Sequence, residues 1–90
     1  MSIFAAQIRA ARGLLQISQI ELSAESGLGL QTIKNLEKDD AAIGKASNNT
    51  VKKIRECLEN KGIKFTFIKE DGQISEAGVK LAISLMNKKS

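Results

Sequence analysis

The sequence predicts a mainly α-helical domain of four to five helices that ends in a small C-terminal β-hairpin. Two observations carry this. Before residue 62 apolar residues recur at helical spacing in three segments, with a capping box marking one more helix between them, and after Gly62 the apolar period drops to two. Ninety residues make one domain, because a chain of this size buries only about 60 to 65% of its unfolded surface and cannot supply two cores.

Phe4, Ile8, Ala11 and Leu15 share one helical face, with Gln7, Arg9 and Arg12 toward its rim, and form the first helix. Ser18-Gln19-Ile20-Glu21 has the form of a capping box, so a second helix starts at Gln19. Gly27 ends it, since the left-handed residue that closes a helix is cheapest without a Cβ. Gly29 caps a third helix, in which Ile33 and Leu36 share a face while Gln31, Thr32, Lys34, Asn35 and Lys38 point elsewhere. Residues 39 to 48 have no convincing period and read as a loop, with Asn48-Asn49-Thr50 as the capping cluster of the next helix. That helix has Val51, Ile54 and Leu58 on its apolar edge and closes at Gly62.

Ile63, Phe65 and Phe67 then alternate with Lys64, Thr66 and Ile68 as a strand does, and Glu70-Asp71-Gly72 is a turn signal. The segment 74–86 fits two periods. Val79, Leu81 and Ile83 alternate, yet Val79, Ala82, Ile83 and Met86 also share a helical face; the hairpin reading is preferred. The expected organisation is a helical unit over residues 1–61, a hairpin over 62–84 and a disordered tail over 85–90.

Fourteen Lys and Arg against ten Asp and Glu give a net charge of +4 and favour polyanionic partners, nucleic acid first. Cys57 is the only cysteine, so no internal disulfide forms, and no apolar run approaches the roughly eighteen residues of a membrane span. Met1 to Ile20 has two arginines, no acid and an amphipathic pattern, as a mitochondrial presequence does. The same residues serve as a first core helix, and a cytoplasmic location is the expectation. There is no histidine, no Ser/His or Cys/His pair and no EF-hand spacing of the carboxylates, so neither an enzyme, a metal nor a cofactor is expected.

Two short helices joined by a three- or four-residue turn containing glycine form the unit that lays its second helix into a major groove. The span from Ser18 to Glu37 meets this description. Leu22 and Leu28 are placed to pack on Ile33 and Leu36, and small Ser23 stands where the helices approach most closely. A plain helical hairpin in a core would have no need of the polar outward face formed by Gln31, Lys34 and Asn35.

The stretch SQIELSAESGLGLQTIKNLE, residues 18–37, with IRAAR at 8–12 before it, resembles the lambda-repressor-like or Cro-type (XRE) family of helix-turn-helix regulators. The resemblance covers about the first forty residues. It implies a DNA-binding transcriptional regulator whose recognition helix reads base edges, here through Leu30, Gln31 and Asn35, with Thr32 and Lys34 beside them. Gln and Asn can bond adenine bidentately, and Leu30 can meet a thymine methyl. By position, phosphate contacts fall to Gln19, Lys38 and Lys45. Arg12 and Glu37 match a structural pair of the family, and Gly27, which ends the second helix, is structural too.

The chain departs from that pattern at Gly29-Leu30, where many relatives have Ser-Arg, and at Asp39 to Ile43, where many have a basic loop. Both changes weaken phosphate affinity. A homodimer would restore it by doubling the contacts and setting two recognition helices about 34 Å apart. The fourth helix and the hairpin are the candidate dimerisation elements. A helix and hairpin bearing Gly62-Ile63-Lys64-Phe65 and Gly78-Val79-Lys80-Leu81 also resemble one bacterial branch of the family. Two alternatives accompany this reading: an antitoxin whose segment after residue 62 neutralises a protein partner, and a helix-turn-helix serving only for assembly.

Overall fold

The computed structural model describes residues 3–82. It contains helices α1 (Ala5–Leu15), α2 (Gln19–Ser26), α3 (Leu30–Lys38), α4 (Asp40–Lys45) and α5 (Asn48–Asn60), followed by strands β1 (Ile63–Glu70) and β2 (Gln73–Leu81). The helical arrangement with a terminal antiparallel hairpin is the expected architecture. Ile83, Met86 and the tail expected over 85–90 lie outside the described residues.

The capping box forms as its residues require. Ser18 Oγ accepts from the Glu21 N–H at 3.0 Å, and Glu21 accepts from the Ser18 N–H at 2.8 Å. Gly27 closes α2 at φ 78°, its N–H donating to the Ser23 carbonyl. The Ser23 hydroxyl donates to the Leu28 carbonyl, so this small side chain fastens the turn as well as admitting it. At the end of α1 the left-handed position falls to Gln16 at φ 58°, while Gly13 stays inside the helix.

Three expectations are corrected. Residues 40–45 are helix, not loop: Asp39 caps α4 by accepting from the Ala42 N–H at 2.9 Å, and Ile43 alone anchors it in the core. A turn and a half holding one buried side chain shows no period. The N-cap of α5 is Ser47, which accepts from the Thr50 N–H at 3.1 Å, so Asn48, Asn49 and Thr50 form the first turn instead of preceding it. Gln7, expected at the rim, is only 2% exposed.

Among the described residues one core joins all the elements. Ile8 and Ala11 of α1, Leu22 of α2, Ile33 and Leu36 of α3, Ile43 of α4, Ile54 and Leu58 of α5 and Ile63 of β1 form one buried cluster. Leu28, Val51, Phe65, Phe67 and Val79 pack at its margin. The hairpin turns on Asp71 and Gly72, at φ 54° and 80°, the two positive angles that a two-residue primed turn needs. Its register pairs Ile63 with Leu81 and Thr66 with Gly78, with one irregularity beside Ile68 and Lys69.

Gln7 fixes the hairpin to the helices. Its Oε1 accepts from the Phe4 N–H at 2.9 Å, and its Nε2 donates to the carbonyls of Thr66 and Gly78 at 3.3 and 2.8 Å. A buried amide with its groups engaged in this way is a connector between α1 and both strands. Gly78 also meets a close approach, since a Cβ there would come within 3.2 Å of Thr66 Oγ1.

Candidate nucleic-acid interface

The position of α3 is set by a polar brace behind it. Glu37, 4% exposed, receives Arg12 in a two-pronged pair, Nε to Oε2 at 2.8 Å and Nη2 to Oε1 at 3.0 Å. Arg12 also donates to the Ile17 carbonyl at 3.1 Å. Arg9 donates to the Glu37 carbonyl, and Gln19 Nε2 reaches Glu37 Oε1 at 3.2 Å. Residues of α1 and α2 thus converge on one carboxylate at the end of α3. The hydrogen bond to Glu37 holds the proton on Arg12 more firmly than usual, against the opposing effect of burial.

The expected Arg12–Glu37 pair is therefore present, and Arg9 and Gln19 join it. The sequence places Arg9 only toward the rim of the first helix, with no sign of this partner. The expectation for Gln19 was a phosphate contact; its amide has one N–H on Glu37, and what remains for a ligand is its second N–H.

The face of α3 away from this brace is polar. Gln31, Lys34, Asn35 and Lys38 are exposed, and Leu30 and Thr32 are half-buried. Gln31 Nε2 donates to Asn35 Oδ1 at 3.0 Å, one helical turn on. The pair then presents the Gln31 carbonyl as acceptor and the Asn35 amide as donor, the two functions that an adenine edge matches in the major groove.

Beside this face, α3 and α4 enclose an open groove of about 470 Å³. Thr32, Asn35, Lys38 and Lys45 line it, so two candidate base readers and two candidate phosphate contacts share one wall-to-wall space. Leu30, Gln31 and Lys34 lie on α3 outside the lining.

The acids near this groove have structural tasks. Asp39 lines the groove and caps α4, while Asp40 Oδ1 accepts from the Ala5 N–H at 2.7 Å, capping the start of α1 from thirty-five residues away. Neither role has a signal in the sequence beyond an Asp ahead of a short helix. Cys57 is half-buried, and burial pushes its thiol above the ordinary value of 9.0. A protonated thiol of this kind is a poor nucleophile.

Among the described residues no helix is long and apolar enough to cross a membrane. No family model matches the chain, and no curated protein matches it either.

Proposed function

We propose that this protein is a sequence-specific regulator of transcription that binds double-stranded DNA as a homodimer through a helix-turn-helix of the lambda-repressor-like, Cro-type kind. The observation that carries this reading is the outward polar face of α3, with Gln31 and Asn35 bonded to each other and Lys38 and Lys45 beside them, on a helix fixed from behind by Arg12 and Glu37.

In this mechanism the cations position and the amides specify. Lys38, Lys45 and the start of α2 at Gln19 hold phosphates and set the register, with Gly27 keeping the turn between α2 and α3 tight. Leu30, Gln31, Thr32, Lys34 and Asn35 then meet base edges, and the occupied operator blocks or recruits polymerase. The chain acts by binding and carries no reaction.

Selection of binding sites from a random duplex library, followed by titration at several salt concentrations, tests this. The expected result is enrichment of a two-fold symmetric site with half-sites about one helical turn apart. A folded protein that enriches no sequence would sink the proposal.

A further inference from the structure

The hairpin leaves one strand edge whose residues complement themselves. The bond from the Ala82 N–H to the Gly62 carbonyl sets the phase of the ladder. Gly62, Lys64, Thr66 and Ile68 therefore turn their backbone groups toward β2, and Phe65, Phe67 and Lys69 turn theirs away. Among the described residues no backbone hydrogen bond outside the β1–β2 ladder ends on the N–H or C=O of those last three.

The two edges of the hairpin differ. The register pairs Ile68 with Glu76 and Lys69 with Ile74, so the extra residue, Ser75, sits on β2. A bulge bends an edge and discourages pairing. β1 has no bulge over its eight residues and keeps a regular edge.

We propose that a second copy of this chain pairs antiparallel along β1, with the two-fold axis at Phe67. Phe67 then faces its own copy, Phe65 faces Lys69, and Lys64 of one protomer faces Glu70 of the other at both ends. These are the outward residues that a new ladder needs, and the overlap spans Lys64 to Glu70 in full. An axis at Phe65 would set Lys64 against Thr66 and leave Glu70 beyond the strand. An axis at Thr66 would set Lys64 against Ile68. Charge complementarity thus selects the register at Phe67.

The same register accounts for an exposed apolar side chain. Ile68 is 52% exposed and lies on the solvent side of the sheet with Lys64, Thr66 and Glu70. Pairing brings Ile68 beside Thr66 of the other copy, which covers it in part. The small contact of one strand edge predicts a weak, concentration-dependent dimer.

This inference does not rest on DNA binding, and its test is done without DNA, so each can fail alone. Sedimentation equilibrium of the full chain should show a concentration-dependent rise from 9.7 kDa toward twice that mass. Lys64→Glu and Glu70→Lys should each weaken association about tenfold, since each turns two attractive cross-strand pairs repulsive. The double variant should regain it. Lys69→Pro removes an outward N–H at each end and should weaken association by about tenfold or more while the circular dichroism spectrum is kept. A monomer at every concentration would overturn the proposal, as would a dimer indifferent to Lys69→Pro and to both charge reversals. A chain that stays monomeric alone and changes mass only with a different protein would also overturn it.

Discussion

Gln31 and Lys45 are expected to do different things to the same ligand, and single substitutions separate them. Gln31→Ala removes an amide that can face a base edge, so it should cost about 1 to 3 kcal/mol on the selected site and relax preference at one base pair. Affinity for random duplex should hardly change. Lys45→Ala removes a charge at the rim of the groove. It should weaken all sequences alike and reduce the slope of log K against log salt by roughly 0.9, the value of one neutralised phosphate. Equal losses on specific and random DNA for Gln31→Ala would reject its role as a reader. Gln7 is a stability residue, since its amide meets Phe4, Thr66 and Gly78 where almost no solvent reaches. Gln7→Leu keeps much of the volume and leaves the Phe4 N–H unpaired, so a loss of about 1 to 3 kcal/mol is expected in urea unfolding.

At the scale of elements, the brace decides whether α3 stays seated. Glu37→Ala leaves Arg12 half-sheltered beside the chain without its carboxylate, and a buried pair broken from one side typically costs about 3 to 5 kcal/mol. The lower end is expected, because Arg12 keeps some water and its bond to the Ile17 carbonyl. Thermal melts check the loss. A fall in DNA affinity beyond the unfolded fraction would show that the brace also orients the helix. The turn into α3 is less demanding. Gly27→Ala meets no atom within 4 Å, so its cost is the positive φ alone, about 1 kcal/mol. The short α4 depends on Asp39 and on Ile43 in the core, which explains why a helix could stand where the residues show no period.

At the scale of the whole molecule, two groups in and just after α5 tie stability to alkali. Lys61 of the α5 terminus ion-pairs with Glu25 of α2, and the bond from Glu25 raises the Lys61 ammonium above its ordinary 10.5. Burial raises the Cys57 thiol above 9.0. Both folded values are raised, so on climbing pH the unfolded chain releases its protons first and stability falls. The loss begins above about pH 9 with Cys57 and continues past about 10.5 with Lys61. Thermal midpoints measured up the alkaline range should decline, and the first part of the decline should be shallower in Cys57→Ala. A flat profile in the parent protein would remove Cys57 and Lys61 from the account.

Local chemistry determined much of this molecule in advance. The capping box at Ser18, the left-handed Gly27, the apolar spacing of α1, α3 and α5 and the alternation from Ile63 to Phe67 act between residues a few positions apart, so they can be read in one dimension. The outward amides of α3 were legible for the same reason, since a helix that buries Ile33 and Leu36 on one face turns Gln31 and Asn35 away from it. What only the tertiary structure decided involves partners distant in the chain. Asp40 caps α1, Gln7 receives the hairpin, Arg9 and Gln19 gather on Glu37, and α4 stands on one isoleucine. A polar side chain chooses such a partner by the space that packing brings to it, and linear spacing holds no record of that space.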